Sequence, residues 1–130
     1  MHEIQESLHQ LQGNTNTSLH FVPWRGNFTR GIFVSSILET TLSLNELNKI
    51  YGDYYTGHPF THLSLSPIDL KQIVNTNKCL IHIEQKENKI VIHTAIDNLL
   101  KGAVGQAVQN MNLMAGLDET AGIQLKASNF

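Results

Sequence analysis

The sequence predicts an α+β domain, a largely antiparallel mixed sheet with helices packed on it. Three observations carry that expectation. Stretches of helical and strand-like apolar spacing alternate along the chain, two β-branched runs flank a short polar turn near residue 87, and 130 residues are enough for one domain, 1–130. The 41% apolar share can close such a core without staples. A single cysteine, Cys79, excludes an internal disulfide and a cysteine-only zinc site, and fits a cytoplasmic setting. Net charge is −2 with only 15% charged residues, so no basic field awaits nucleic acid or an anionic membrane. No apolar run approaches the roughly 20 residues of a membrane span, and the N-terminus has no signal-peptide pattern. These features predict a soluble protein.

Ile4, Leu8 and Leu11 recur at helical spacing before Gly13 and Asn14, predicting a short amphipathic helix over 3–12. A helix opening so close to Met1 predicts a chain cut from something longer. Residues 19–24 and 28–42 are rich in β-branched and aromatic side chains and read as two strands. Ser43 and Glu46 form a capping-box signature. Leu44, Leu47, Ile50, Tyr51 and Tyr54 then mark one helix face, ended by Gly57 and Pro59.

A short strand is predicted over 60–65, and an irregular or briefly helical crossing over 67–74. Residues 79–83 and 90–94 read as a hairpin, and a two-residue loop at Glu87-Asn88 would set His82 opposite His93. Asp97-Asn98 reads as the cap of a long last helix whose stripe is Leu100, Ala103, Val104, Ala107, Val108, Met111 and Met114, ending at Gly116. Gly102 and Gly105 each weaken such a helix by about 1 kcal/mol relative to alanine, which predicts a close backbone approach there.

Seven histidines raise the question of a metal, but the spacings mostly fail a tetrahedral site. His82, His93 and Glu84 form the nearest approach to one, with ordinary strand positions as the alternative, and no metal is expected. Cys79 opens an apolar strand, where a thiol is an inert small hydrophobe unless a cation lowers its pKa, and only Lys78 adjoins it. Arg30, in Thr29-Arg30-Gly31, can present its fork to a carboxylate or phosphate, or form a strand-edge ion pair.

Residues 95–114, AIDNLLKGAVGQAVQNMNLM, resemble the C-terminal helix motif of the N-acetyl-gamma-glutamyl-phosphate reductases of arginine biosynthesis. FVPWRGNFTRGI at 21–32, PIDLKQIVNTNKC at 67–79 and GLDETAGI at 116–123 follow the same family's order, so the resemblance covers nearly the whole chain. It implies a fold like the C-terminal domain of glyceraldehyde-3-phosphate-dehydrogenase-like enzymes. The implied reaction is NADPH-dependent reduction of an acyl phosphate to a semialdehyde through a cysteine thioester.

The family's nucleophile lies in a Pro-Gly-Cys turn, whereas Cys79 follows Asn77-Lys78, and no Gly-rich dinucleotide fingerprint occurs in the 130 residues. His2-Glu3-Ile4 matches only the tail of the motif that carries the family's catalytic histidine. The resemblance therefore implies a substrate and dimerisation domain with no catalytic residue of its own. Nucleophile, histidine and NADP-binding domain would lie upstream of Met1, and the fragment alone would be inactive and bind NADP poorly. The alternative is a stand-alone binding or assembly module derived from the enzyme.

What the resemblance does assign is supporting apparatus. Arg30 matches the family's arginine turn and would serve the substrate's anionic groups, directly or by shaping the pocket. Asn98, Lys101 and Gly102 match a segment that approaches the nicotinamide end of the cofactor. Trp24-Arg25-Gly26-Asn27 departs from the family's commoner His-Leu-Val-Pro and receives no role. A homo-oligomer is implied, most simply a dimer through the sheet, with apolar surface along Leu100, Val104, Val108 and Met111 awaiting a cover.

Overall fold

The computed structural model describes residues 2–13 and 18–127. Met1 and Asn14, named above at the ends of the first helix, lie outside them. Helix α1 spans His2–Gln12 and buries none of its residues, with Leu11 and Ile4 both exposed. Strand β1 is Ile32–Leu38, α2 Leu44–Tyr55, β2 Thr61–Ser64, β3 Cys79–Lys86 and β4 Lys89–Ile96. A 3₁₀ turn at Leu70–Gln72 crosses from β2 to β3, and after β4 a π-helical turn, Leu100–Val104, runs into α3, Gly105–Met114.

The four strands form one sheet in the order β1-β4-β3-β2. The β1–β4 and β4–β3 ladders are antiparallel and β3–β2 is parallel. A parallel neighbour requires a crossover, which residues 65–78 supply. The hairpin register sets His82 opposite His93 and closes at Lys86↔Lys89, as the two-residue loop requires.

Both sheet faces are covered toward the β3 side. Leu47 of α2 packs with Ile81, Ile83 and Ile90 on one face, joined by Leu44, Tyr51, Tyr55 and Cys79. Ile68, Ile73 and Val74 from the crossover cover Ala95 and Leu80 on the other. Ser43 caps α2 through the reciprocal Ser43–Glu46 box that the sequence signals. The buried face of that helix is turned slightly from the expected stripe. Tyr55, four residues after Tyr51, points inward, while Tyr54 and Ile50 are exposed.

Two strand expectations are corrected. Residues 19–24 form no strand, because Pro23 lacks an N–H and the segment runs exposed with no ladder beside it. The long run 28–42 contracts to Ile32–Leu38. Gly31, with φ +119, breaks the extended path just before it, and a side chain there would strike Leu70. β1 is an edge strand exposed along its whole length, including Ile32, Phe33, Val34, Ile37 and Leu38. Unpaired apolar edges of this kind are the usual sites of association.

The last helix departs furthest from expectation. It opens as a π turn, and of its residues the buried ones are Gly105 and Asn112 rather than the apolar stripe. Val104 and Met111 are each more than half exposed and Met114 almost fully so, while Leu100 and Val108 are partly covered. Polar contacts hold the helix by its other face.

Candidate functional site

Asp97 stands at the end of β4 with a side chain that is fully buried. A buried carboxylate needs partners, and this one has several. Oδ1 accepts from the backbone N–H groups of Leu99 at 2.8 Å and Leu100 at 3.0 Å, and Oδ2 from that of Asn75 at 2.8 Å. Asn75 holds φ +64, a left-handed conformation that asparagine tolerates better than most residues. Arg30 completes the cluster. Its Nη2 donates to Asp97 Oδ1 at 3.3 Å and its Nη1 to Asn75 Oδ1. Nε lies 3.2 Å from Oδ2, at ion-pair distance but without hydrogen-bond alignment. Burial pushes the Asp97 carboxyl up, yet the three backbone donors and then Arg30 outweigh it and hold the pKa below the usual aspartate value.

Next to this pair, Asn98 Oδ1 accepts from the Gly31 N–H at 2.7 Å. Asp97, not Asn98, therefore caps the turn that follows, while Asn98 reaches back across the chain to the arginine turn. The expected Arg30 and Asn98 sites are thus brought together, as neighbours on two docked segments. Asn98 donates no hydrogen bond among the described residues, which leaves its NH₂ available.

The main chain of Asp97 also sets the π turn. Gly102 N–H donates to Asp97 O at 3.0 Å and Val104 N–H to Leu99 O at 3.0 Å, each five residues apart. Such turns recur at functional sites. Gly105 shows the close approach its sequence suggested, since a methyl group there would overlap Asn77 Oδ1 and come within 2.8 Å of Leu100 O. Gly102 does not. A methyl group on it would meet Asp97 O and Ile96 at 3.5 Å, an ordinary contact, and the residue is exposed.

A polar network then ties the helix down. Lys101 Nζ donates to Gln109 Oε1 at 2.8 Å and lies 5.7 Å from the Phe60 ring centre. Gln109 also accepts from Asn77 Nδ2 at 3.4 Å and donates to Glu119, and Asn112 donates to the carbonyls of Glu119 and Ala121. Asn77 is buried and its Oδ1 has no hydrogen-bond partner. Beside the network a cleft of about 280 Å³ is lined by Phe60, His62, Asn77, Lys78, Ile123 and Gln124, among others. Sequence reasoning missed Asn75, Asn77, Gln109 and Glu119. The crowding of asparagines in Asn75-Thr76-Asn77 was the one available signal.

The remaining candidates lie elsewhere. His93 Nε2 is 3.1 Å from Glu84 Oε1 and its Nδ1 2.8 Å from Ser35 Oγ, while His82 turns Nδ1 to the Ser64 carbonyl at 2.9 Å. The two rings stack at 6.2 Å. These groups satisfy one another, and among the described residues no cluster of three ligating side chains is placed to hold a metal. Cys79 packs against the α2 core. Burial pushes its thiol up, against a smaller pull down from Lys101. No described helix is long and apolar enough to cross a membrane.

Comparison with known proteins adds the rest. Residues 1–98 match the family described as semialdehyde dehydrogenase, dimerisation domain. An N-acetyl-gamma-glutamyl-phosphate reductase of Phocaeicola vulgatus is 53% identical over 128 residues, which are 98% of this chain and 40% of that protein. Proteins of the same name are 47% identical in Christiangramia forsetii, over 100% of this chain and 40% of that one, and 48% in Flavobacterium johnsoniae, over 98% and 39%. The chain spans about two fifths of the length of the curated relatives it matches.

Proposed function

The chain belongs to the semialdehyde dehydrogenase dimerisation-domain family, and from that premise we propose that it is the C-terminal substrate and dimerisation domain of an NADPH-dependent N-acetyl-gamma-glutamyl-phosphate reductase. The observation that carries this reading is identity near 50% to reductases of that name over essentially the whole chain. The reaction would convert an acyl phosphate to a semialdehyde. A cysteine thiolate outside these 130 residues displaces phosphate to give a thioester, and hydride addition then releases the aldehyde and the thiolate. NADPH, when bound, supplies that hydride.

Within this domain Asn98, Lys101 and Gly102 would meet the nicotinamide end. The chemistry of the donor set fits an amide-bearing group, because the Asn98 NH₂ is free to donate and Gly102 leaves the main chain bare. Lys101 would contribute a cation held in place by Gln109 and Phe60. Arg30 would serve the anionic substrate mainly by shaping the pocket, since each of its three nitrogens already faces Asp97 or Asn75. We assign the enzyme to the cytoplasm, as a homodimer with an N-terminal dinucleotide-binding domain.

The test is to express the complete polypeptide carrying this chain and to follow NADPH oxidation with the acyl phosphate. Turnover dependent on both NADPH and the N-acetylated acyl phosphate is expected. Absence of turnover in a folded, complete protein would remove the reductase assignment.

A further inference from the structure

We propose that Asp97 is a positioning residue, whose buried carboxylate locks Arg30, Asn75 and the start of the π turn together and so fixes Asn98 for cofactor binding. This deepens the reductase reading and rests on it. Three chain segments converge on one side chain: residue 30 through the guanidinium, residue 75 through its main chain, and residues 99 and 100 through theirs. The Asp97 carbonyl starts the π turn, so the same residue sets both the direction and the winding of the segment that carries Lys101 and Gly102.

Among the described residues the Asn98 side chain has one anchor, the Gly31 N–H, and Gly31 directly follows Arg30 in the chain. The position of the Asn98 amide thus depends on the Arg30–Asp97 pair at one remove. Arg30 acts in this scheme through Asp97 and not on the substrate. Displacing a positioning group by even a small distance weakens binding or slows the reaction out of proportion to the movement itself.

The test compares the complete reductase with its Asp97→Asn and Arg30→Lys variants. NADPH affinity is read directly by fluorescence titration, and KM for each substrate is measured apart from kcat. Asp97→Asn keeps size and shape but removes the charge and one acceptor. It is expected to raise Kd and KM for NADPH by about tenfold or more. A folded Asp97→Asn enzyme with wild-type Kd for NADPH overturns the proposal.

If that variant fails to fold, Arg30→Lys decides, because it keeps a cation beside Asp97 while removing the fork. A rise of about threefold or more in Kd for NADPH supports the proposal. A wild-type Kd for NADPH in this variant overturns it, whatever the acyl-phosphate KM does, since the fork would then not be needed to place Asn98. A wild-type protein that neither binds nor oxidises NADPH contradicts the reductase reading itself, and the proposal falls with it.

Discussion

Arg30 and Asp97, 67 positions apart in sequence, form the ion pair that joins the arginine turn to the last helix, with Nε 3.2 Å from Oδ2. The carboxylate is fully buried and the guanidinium largely so. Removing one partner of such a pair leaves the other uncompensated, together here with three backbone N–H groups. Asp97→Ala is therefore expected to destabilise the fold by about 3–5 kcal/mol. Urea denaturation of the two proteins measures it, and a loss under about 1 kcal/mol would show that water replaces the carboxylate at little cost.

The same carboxylate predicts an acid limit. Its folded pKa lies below the unfolded aspartate value of about 3.9, so its contribution is fully present above that value and is lost as pH falls through the lowered one. The stability difference between wild type and Asp97→Ala should be constant from pH 7 to about 5 and shrink below about pH 4. Thermal melts of both proteins across that range test it. A difference that grows in acid would reverse the sign.

Gly105 and Gly102 should respond oppositely to alanine. At 105 the new methyl group strikes Asn77 Oδ1, which is buried, so a loss of about 1–3 kcal/mol is expected despite alanine's better helix propensity. At 102 the contacts are ordinary, so a gain of roughly 0.5–1 kcal/mol is expected. Denaturation midpoints of the two variants decide. Equal effects would mean that the Asn77 side chain moves aside freely.

Cys79 should behave as a packed hydrophobe. Burial raises its thiol pKa, so near pH 7.5 a disulfide reagent should label it about tenfold or more slowly than a free thiol. In the complete enzyme Cys79→Ser should keep kcat/KM within about threefold. A collapse of turnover in that variant would make Cys79 a participant in the chemistry.

Much of this was legible in the chain because local signals and tertiary demands agreed. The Ser43–Glu46 box, the β-branched runs around Glu87-Asn88 and the Gly105 notch each appear where their residue chemistry points. Sequence failed where a distant contact overrode local preference. Residues 19–24 have strand composition but no neighbour to pair with, and the apolar stripe of α3 faces outward because Gln109 and Asn112, on its other face, bond to Asn77, Lys101 and residues 119 and 121. At the candidate site, Arg30 and Asn98 were visible as separate motifs. Their meeting through Asp97 and Gly31 was not, since no spacing rule links positions that far apart.

Dimerisation requires that this domain assemble with a second copy, and sedimentation equilibrium of the purified chain reads that assembly directly. The exposed edge strand β1, with Phe33 and Ile37, and the outward face of α3, with Val104 and Met111, leave apolar surface that a lone domain rarely tolerates. A stable symmetric pair would bury about 1,600 Å² in total. The expected result is a species of twice 14.6 kDa at micromolar concentration. A single 14.6 kDa species persisting at high micromolar concentration would refute self-association through these surfaces.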